Sequence, residues 1–286
     1  MFNSKSISIS LLLLSSIAIS FGGLIMRNIE VANAWQIIFY RSVFFSISIS
    51  IILVFQYRNL FFINLKSIGL PGILAAIFYT FANIMFVHAF ANTTVANALF
   101  TLSAIPFITA ILAFYFLDEN LSIRTIIIMV IAFAGIVLMI SEGLALGEFF
   151  GNMMALGTAL FFSCFAITLR KFRKLDMLPT LLIAGLMVSS ITLIMTYNFI
   201  KIPIKEMFLC FIWGGVLSGV VNYIFIFATR YLYASSVTFF MLLEFALGPL
   251  WVFIFLNEQV STNTLYGGLV VMICVFFYSL FEILSS

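Results

Sequence analysis

The sequence predicts an all-α polytopic membrane protein of ten transmembrane helices, built as two inverted five-helix repeats. Three observations carry this. Of 286 residues, 64% are apolar and only 8% charged, whereas soluble domains carry about 25% charged residues, so the chain lacks the charge to cover a water-facing surface. Apolar runs of about 20 residues, the length a hydrocarbon core requires, follow one another almost without pause. A shift of about 139 residues also lays the end of one half over the end of the other.

The first apolar run, 7–26, has the look of a signal peptide, but further apolar runs follow it directly and it reads as a first helix. Polar and Gly/Pro clusters divide the rest into spans at 34–55, 67–90, 95–117, 125–142, 151–169, 178–199, 207–229, 234–256 and 264–284. The connections are short, so the function must live among the helices. Lys and Arg set the orientation. With the N-terminus cytoplasmic, the inner connections hold Lys5, Arg58, Lys66, Arg124, Arg170, Lys171, Arg173, Lys174 and Arg230, and the outer ones only Arg27, Lys201 and Lys205. Both termini are therefore expected inside, in a bacterial inner membrane, with Arg170–Lys174 as the strongest cytoplasmic anchor.

The repeat divides the chain at 1–143 and 144–286. In its register Leu117-Asp118-Glu119-Asn120-Leu121-Ser122 matches Leu256-Asn257-Glu258-Gln259-Val260-Ser261, and Asn83 falls on Asn222. Phe matches are cheap in a Phe-rich chain, but polar coincidences are not. Five helices per half force opposite orientations on the two copies, a recurrent build of secondary transporters whose substrate site lies near the midplane where the halves meet.

These residues resemble the drug/metabolite transporter superfamily, specifically its ten-helix EamA-type members, over essentially the whole chain. In the first half the resemblance rests on the run AIPFITAILAFYFLDENLS, with Pro106 and Glu119, and on FYRSVFF, which places Arg41 in the second helix. In the second half MLLEFALGPLWVFIFLNEQVS supplies Glu244, Pro249, Trp251 and Glu258. There Phe245 takes the place of Pro106, and the proline comes four residues later, which predicts a differently placed kink in the ninth helix. The resemblance implies helices one to four and six to nine around a central cavity, with five and ten at the periphery.

Glu244, near the middle of the ninth span, is the strongest single signal. A carboxylate there is costly unless it pairs, faces a wet cavity or stays protonated. It is expected to bind a cationic substrate group or to couple transport to protons, against a plain interhelical glue role. Arg41 lies about two turns into the second span and is permanently charged. It either snorkels to the outer interface near Trp35 or faces the cavity to hold a substrate carboxylate, and Gln36 and Tyr40 share whichever role it has. Asn83 and Asn222 would line the site with amides, Tyr79 lying one turn before the first and Tyr223 beside the second, or would bond neighbouring helices. Pro106 and Pro249 are candidate hinges. His88 reads as an interfacial residue, Glu119 and Glu258 as helix-end anchors, and Gly215 with Gly219 as a close-packing element.

The net charge of +3 comes from scattered connections and offers no face to a nucleic acid. Cys164, Cys210 and Cys274 lie inside spans at wide spacing beside a single histidine, so neither a metal site nor a cofactor is expected. Nucleotide-binding and hydrolase motifs are absent. The expected partners are a small-molecule substrate and the bilayer, in a monomer or weak homodimer. The favoured reading is alternating-access transport of a small polar metabolite, an amino acid or related zwitterion. An exporter of lipophilic or quaternary cations and, more remotely, an intramembrane lipid-modifying enzyme are the alternatives.

Overall fold

In hydrocarbon every backbone N–H and C=O must find a partner within the chain, which leaves helices or a closed barrel as spanning structures. The structure, a computed structural model, describes residues 4–58, 61–119, 121–140, 149–256 and 262–284, and every regular element among them is helical. In chain order the main helices are α1 (Ser4–Arg27), α2 (Ala34–Tyr57), α3 (Gly69–Asn92), α4 (Ala98–Leu117), α5 (Ile123–Ile140), α6 (Phe149–Lys171), α7 (Leu178–Thr196), α8 (Ile204–Thr229), α9 (Ala234–Leu256) and α10 (Thr262–Leu284). Eight of these are long and apolar enough to cross a membrane; α5 and α10 carry shorter apolar stretches, Ile123–Leu138 and Tyr266–Tyr278. A short helix, Phe61–Ser67, which the sequence reading leaves as a connection, precedes α3. Large apolar side chains such as Phe55, Leu70 and Ile194 point outward, as a protein whose solvent is lipid permits and a soluble monomer does not. The chain is a multi-pass membrane protein. The expected boundary between repeats, and Glu258, lie outside the described residues.

The packing places α3 against α6 and α1 against α8, α2 against α8 and α3 against α7, α4 against α6 and α1 against α9. The remaining main pairs are α2 with α7, α4 with α9 and α5 with α10. Glycines let these backbones close up. A Cβ on Gly214 of α8 would overlap the backbone carbonyl of Arg41 on α2, and one on Gly219 would lie 2.5 Å from Ser48 Oγ. Gly215 faces the Phe44 carbonyl, so the Gly215–Gly219 spacing packs α8 onto α2.

Three helices are interrupted. α1 breaks at Ser20–Phe21 between Ser4–Ile19 and Gly22–Arg27. In α4 the break falls at Ser103–Ala104, immediately before Pro106, which opens the helix Ile105–Leu117 where its missing N–H costs nothing. α9 breaks at Met241, between Ala234–Phe240 and Leu242–Leu256. This corrects the expected kink: Pro249 lies inside continuous helix, and the break comes eight residues earlier, at the position on which Leu102 falls in the 139-residue register. There is a further irregularity in α8, where Phe211–Ser218 is π-helical.

Candidate functional site

The interruptions in α4 and α9 open space at the centre of the bundle. Seven helices, α1, α2, α3, α4, α6, α8 and α9, line a cavity of about 100 Å³, room for several waters. Its walls are largely apolar, including Leu12, Leu102, Phe162 and Phe245, and its polar groups are few: Arg41, Tyr79, Asn83, Ser218, Asn222 and Glu244, with Ser15, Ser16 and Thr158. α5 and α10 contribute no lining residue among those described.

Arg41 comes from the eighth residue of α2, about 10 Å along the helix, and turns inward rather than to the interface. It is 7% exposed. Its Nη1 donates to Asn83 Oδ1 at 3.3 Å and its Nη2 to Ser218 Oγ at 3.2 Å, while Nε is buried without a partner. The guanidinium lies 4.5 Å from the Trp213 ring centroid and 5.4 Å from that of Phe86, so aromatic faces take the place of water around the charge.

Glu244 lies in the first turn of Leu242–Leu256, where the helix dipole favours a negative charge. It is also 7% exposed, and no side-chain hydrogen bond or ion pair holds its carboxylate within the described structure. Arg41 and Glu244, a guanidinium and a carboxyl group, thus face one cavity without pairing. The amides line the same cavity. Asn222 Nδ2 donates to the Ser218 carbonyl at 2.8 Å, and Tyr79 lines the cavity with both amides. Tyr79 is itself held by Phe45 and Phe165, with centroids at 5.8 and 5.0 Å.

Other residues predicted for the site lie elsewhere. Gln36 is part of a capping box at the start of α2, exchanging hydrogen bonds with Asn33 at 2.9 and 3.0 Å. Its side-chain amide Nε2 also donates to the carbonyls of Phe199 and Lys201, and the Tyr40 hydroxyl donates to that of Ile200 at 3.0 Å. Both residues therefore tie α2 to the α7–α8 connection and do not line the cavity. Tyr223 faces a smaller pocket with Gln56 and Arg230. His88 packs edge-on against Trp35 at 4.5 Å.

Polar clamps tie the bundle at both ends, and residue pattern alone does not reveal them. At the end where α4 and α6 finish, Glu119 Oε1 accepts from Arg170 Nε at 2.6 Å, and Oε2 accepts from the Ala234 N–H at 3.2 Å. Arg170 also donates to the Thr229 carbonyl at 3.1 Å. Arg170 is thus buried and paired, not a solvated anchor. Nearby, Asp176 joins Tyr57 and Arg230, the latter at 2.7 Å. At the opposite end, Glu206 of α8 accepts the N–H groups of Glu30, Val31 and Ala32 at 3.1, 2.9 and 2.9 Å. Loop amides leave no mark in a side-chain pattern, which is why Glu206 escaped notice; Trp213 and Ser218 were missed because only the π turn brings them to Arg41.

Residues 6–141 match the EamA-like transporter family. A solved crystal structure of a protein is similar in fold, with a TM-score of 0.80 over 97% of this chain and 99% of that one, at 12% identity. Nothing among curated proteins matches the chain.

Proposed function

Because residues 6–141 match the EamA-like transporter family, we propose that the chain is a member of it and a secondary transporter of a small zwitterionic metabolite, an amino acid or close relative. One observation carries the substrate class: Arg41 and Glu244 face the same cavity, nearly buried, with no ion pair between them. Buried charges are stable only when compensated, and a zwitterion compensates both at once, its carboxylate on Arg41 and its ammonium on Glu244, with Asn83, Asn222 and Tyr79 between. A guanidinium in the cavity repels a lipophilic cation, which disfavours the drug-exporter reading.

The mechanism is alternating access. Two five-helix halves, 1–143 and 144–286, in opposite orientations exchange conformations around the fixed site. The packing pairs support that build: α3–α6 has its counterpart in α8–α1, α2–α8 in α7–α3, and α4–α6 in α9–α1. The breaks at Ser103–Ala104 and Met241 supply hinges, Pro106 adjoining the first. With both termini cytoplasmic, the Glu119–Arg170 clamp closes the inner end and Glu206 the outer end. Glu244 releases its proton to cavity water as the substrate ammonium binds and takes one up when the substrate leaves, which couples transport to protons.

The test is counterflow of each common amino acid, radiolabelled, in proteoliposomes of purified protein. Exchange of at least one, lost in both Arg41→Ala and Glu244→Gln, is the expected outcome. No exchange by the wild type across amino acids and related zwitterions sinks the proposal, and uptake of quaternary cations instead would promote the exporter reading.

A further inference from the structure

The π-helical turn in α8 sets two of its residues, Trp213 and Ser218, against Arg41. In an α-helix, residues five apart lie about 140° from one another around the axis, so Trp213 and Ser218 would face different neighbours. A π-helix closes its hydrogen bonds from i to i+5, which brings those two residues onto nearly one line. Trp213 stacks on the Arg41 guanidinium at 4.5 Å while Ser218 Oγ accepts from its Nη2 at 3.2 Å. The turn is itself pressed into place. Gly214, next to Trp213, meets the Arg41 backbone so closely that any Cβ would overlap it, and a Cβ on Gly22 of α1 would lie 2.8 Å from Trp213 Nε1.

The consequence is a guanidinium fixed in plane and rotation. Trp213 and Phe86 flank it, and two of its five N–H donors are engaged by Asn83 and Ser218. Each terminal nitrogen keeps one further N–H, a fork suited to a planar two-oxygen anion. We propose that Trp213 and Ser218, brought together by the π turn Phe211–Ser218, are positioning residues that make the Arg41 end of the cavity select a carboxylate over a neutral carboxamide of the same shape. This rests on the reading of Arg41 as the substrate-carboxylate site. Neither residue is required to touch the substrate: Trp213 stands behind the guanidinium, 1% exposed, and acts through it.

The probes are butanoate and butanamide, near-isosteres that differ in charge, each titrated at constant ionic strength against purified protein in detergent and followed by thermal unfolding. The wild type should be stabilised by butanoate at concentrations at least tenfold below those at which butanamide acts. Arg41→Gln should abolish the preference. Ser218→Ala and Trp213→Leu should each reduce it about tenfold, the scale of one desolvated cation–π or charge-assisted contact, and Trp213→Phe, which keeps a ring to stack, should restore most of it. Should Trp213→Leu fail to fold, Ser218→Ala and Trp213→Phe decide the matter. A preference that depends on Arg41 but is unchanged in Ser218→Ala and in both Trp213 variants overturns the positioning role and leaves the carboxylate reading standing. A wild type with no preference for butanoate overturns both.

Discussion

The pair Glu119–Arg170 joins the ends of α4 and α6 to the start of α9, and its removal should be felt as a coupled loss. Each side chain is only 8% exposed. Deleting one member leaves the other's charge buried, which typically costs about 3–5 kcal/mol, while replacing both by apolar residues of similar volume is often nearly neutral. Here the lower figure applies to Glu119→Leu, because Arg170 keeps the Thr229 and Arg230 carbonyls at 3.1 and 3.4 Å. Arg170→Met leaves the Glu119 carboxylate with the Ala234 N–H at 3.2 Å. Each single change should therefore cost about 3 kcal/mol. The double variant loses the Ala234 bond and the carbonyl contacts but strands no charge, and should cost about 3 kcal/mol in all, a coupling of about 3 kcal/mol. The assay is unfolding of purified protein in mixed micelles, titrated with dodecyl sulfate and followed by circular dichroism. Additivity of the two single losses to within about 0.5 kcal/mol, the behaviour of independent sites, would refute the clamp.

Gly214→Ala should lose about 1–3 kcal/mol through overpacking against the Arg41 carbonyl, whereas Gly215→Ala, whose nearest neighbours stand at 3.4 Å, should be close to wild type; thermal unfolding of the two side by side checks this. Glu206→Gln exchanges one acceptor oxygen for an N–H that faces the amides of Glu30, Val31 and Ala32, and should cost about 2 kcal/mol in the same measurement. Uptake by the wild type should respond to an imposed pH gradient in proteoliposomes, and wild-type uptake indifferent to the gradient would remove Glu244 from proton coupling.

The spans were legible because lipid as solvent makes hydropathy nearly decisive. The segment 234–256 is found at those residues, and the other predicted spans differ from α1–α8 and α10 by a few residues at their ends. Glu244 and Arg41 were legible for the same reason, since a charge inside an apolar run stands out against its cost. What the sequence hid was backbone irregularity. Met241 carries neither glycine nor proline, yet α9 breaks there, while Pro249, the obvious breaker, is absorbed in continuous helix. The π turn 211–218 reads as ordinary helix from its composition, and with it Trp213 and Ser218 were lost as neighbours of Arg41. Gln36 and Tyr40 misled through sequence proximity: one helical turn from Arg41 is enough to reach the α7–α8 connection instead of the cavity.

In the proposed repeat, the acid and the base of the cavity stand at unrelated positions. In the 139-residue register Asn83 falls on Asn222, and both line the cavity, one from α3 and one from α8. Arg41, however, falls on Thr180, and Glu244 falls on Ile105. In that register the related positions carry a pair of amides, and the unrelated ones carry a guanidinium from the first half and a carboxyl group from the second. A strictly symmetric cavity would carry two guanidiniums or two carboxylates, each repelling its twin at low dielectric. One of each is tolerable when the site is filled by a ligand of matching polarity. The local supports follow the same division: Arg41 is stacked on Trp213 and bonded to Ser218 of α8, while Glu244 relies on the N-terminal turn created by the break at Met241. Moving the carboxylate to the equivalent place, in Ile105→Glu with Glu244→Ile, keeps the net charge of the cavity and places the acid in the first turn of Ile105–Leu117. If the cavity reads its ligand by charge separation alone, that exchange should retain amino-acid counterflow; if the distance from Arg41 to Glu244 sets the ligand, counterflow should be lost while the folded protein persists.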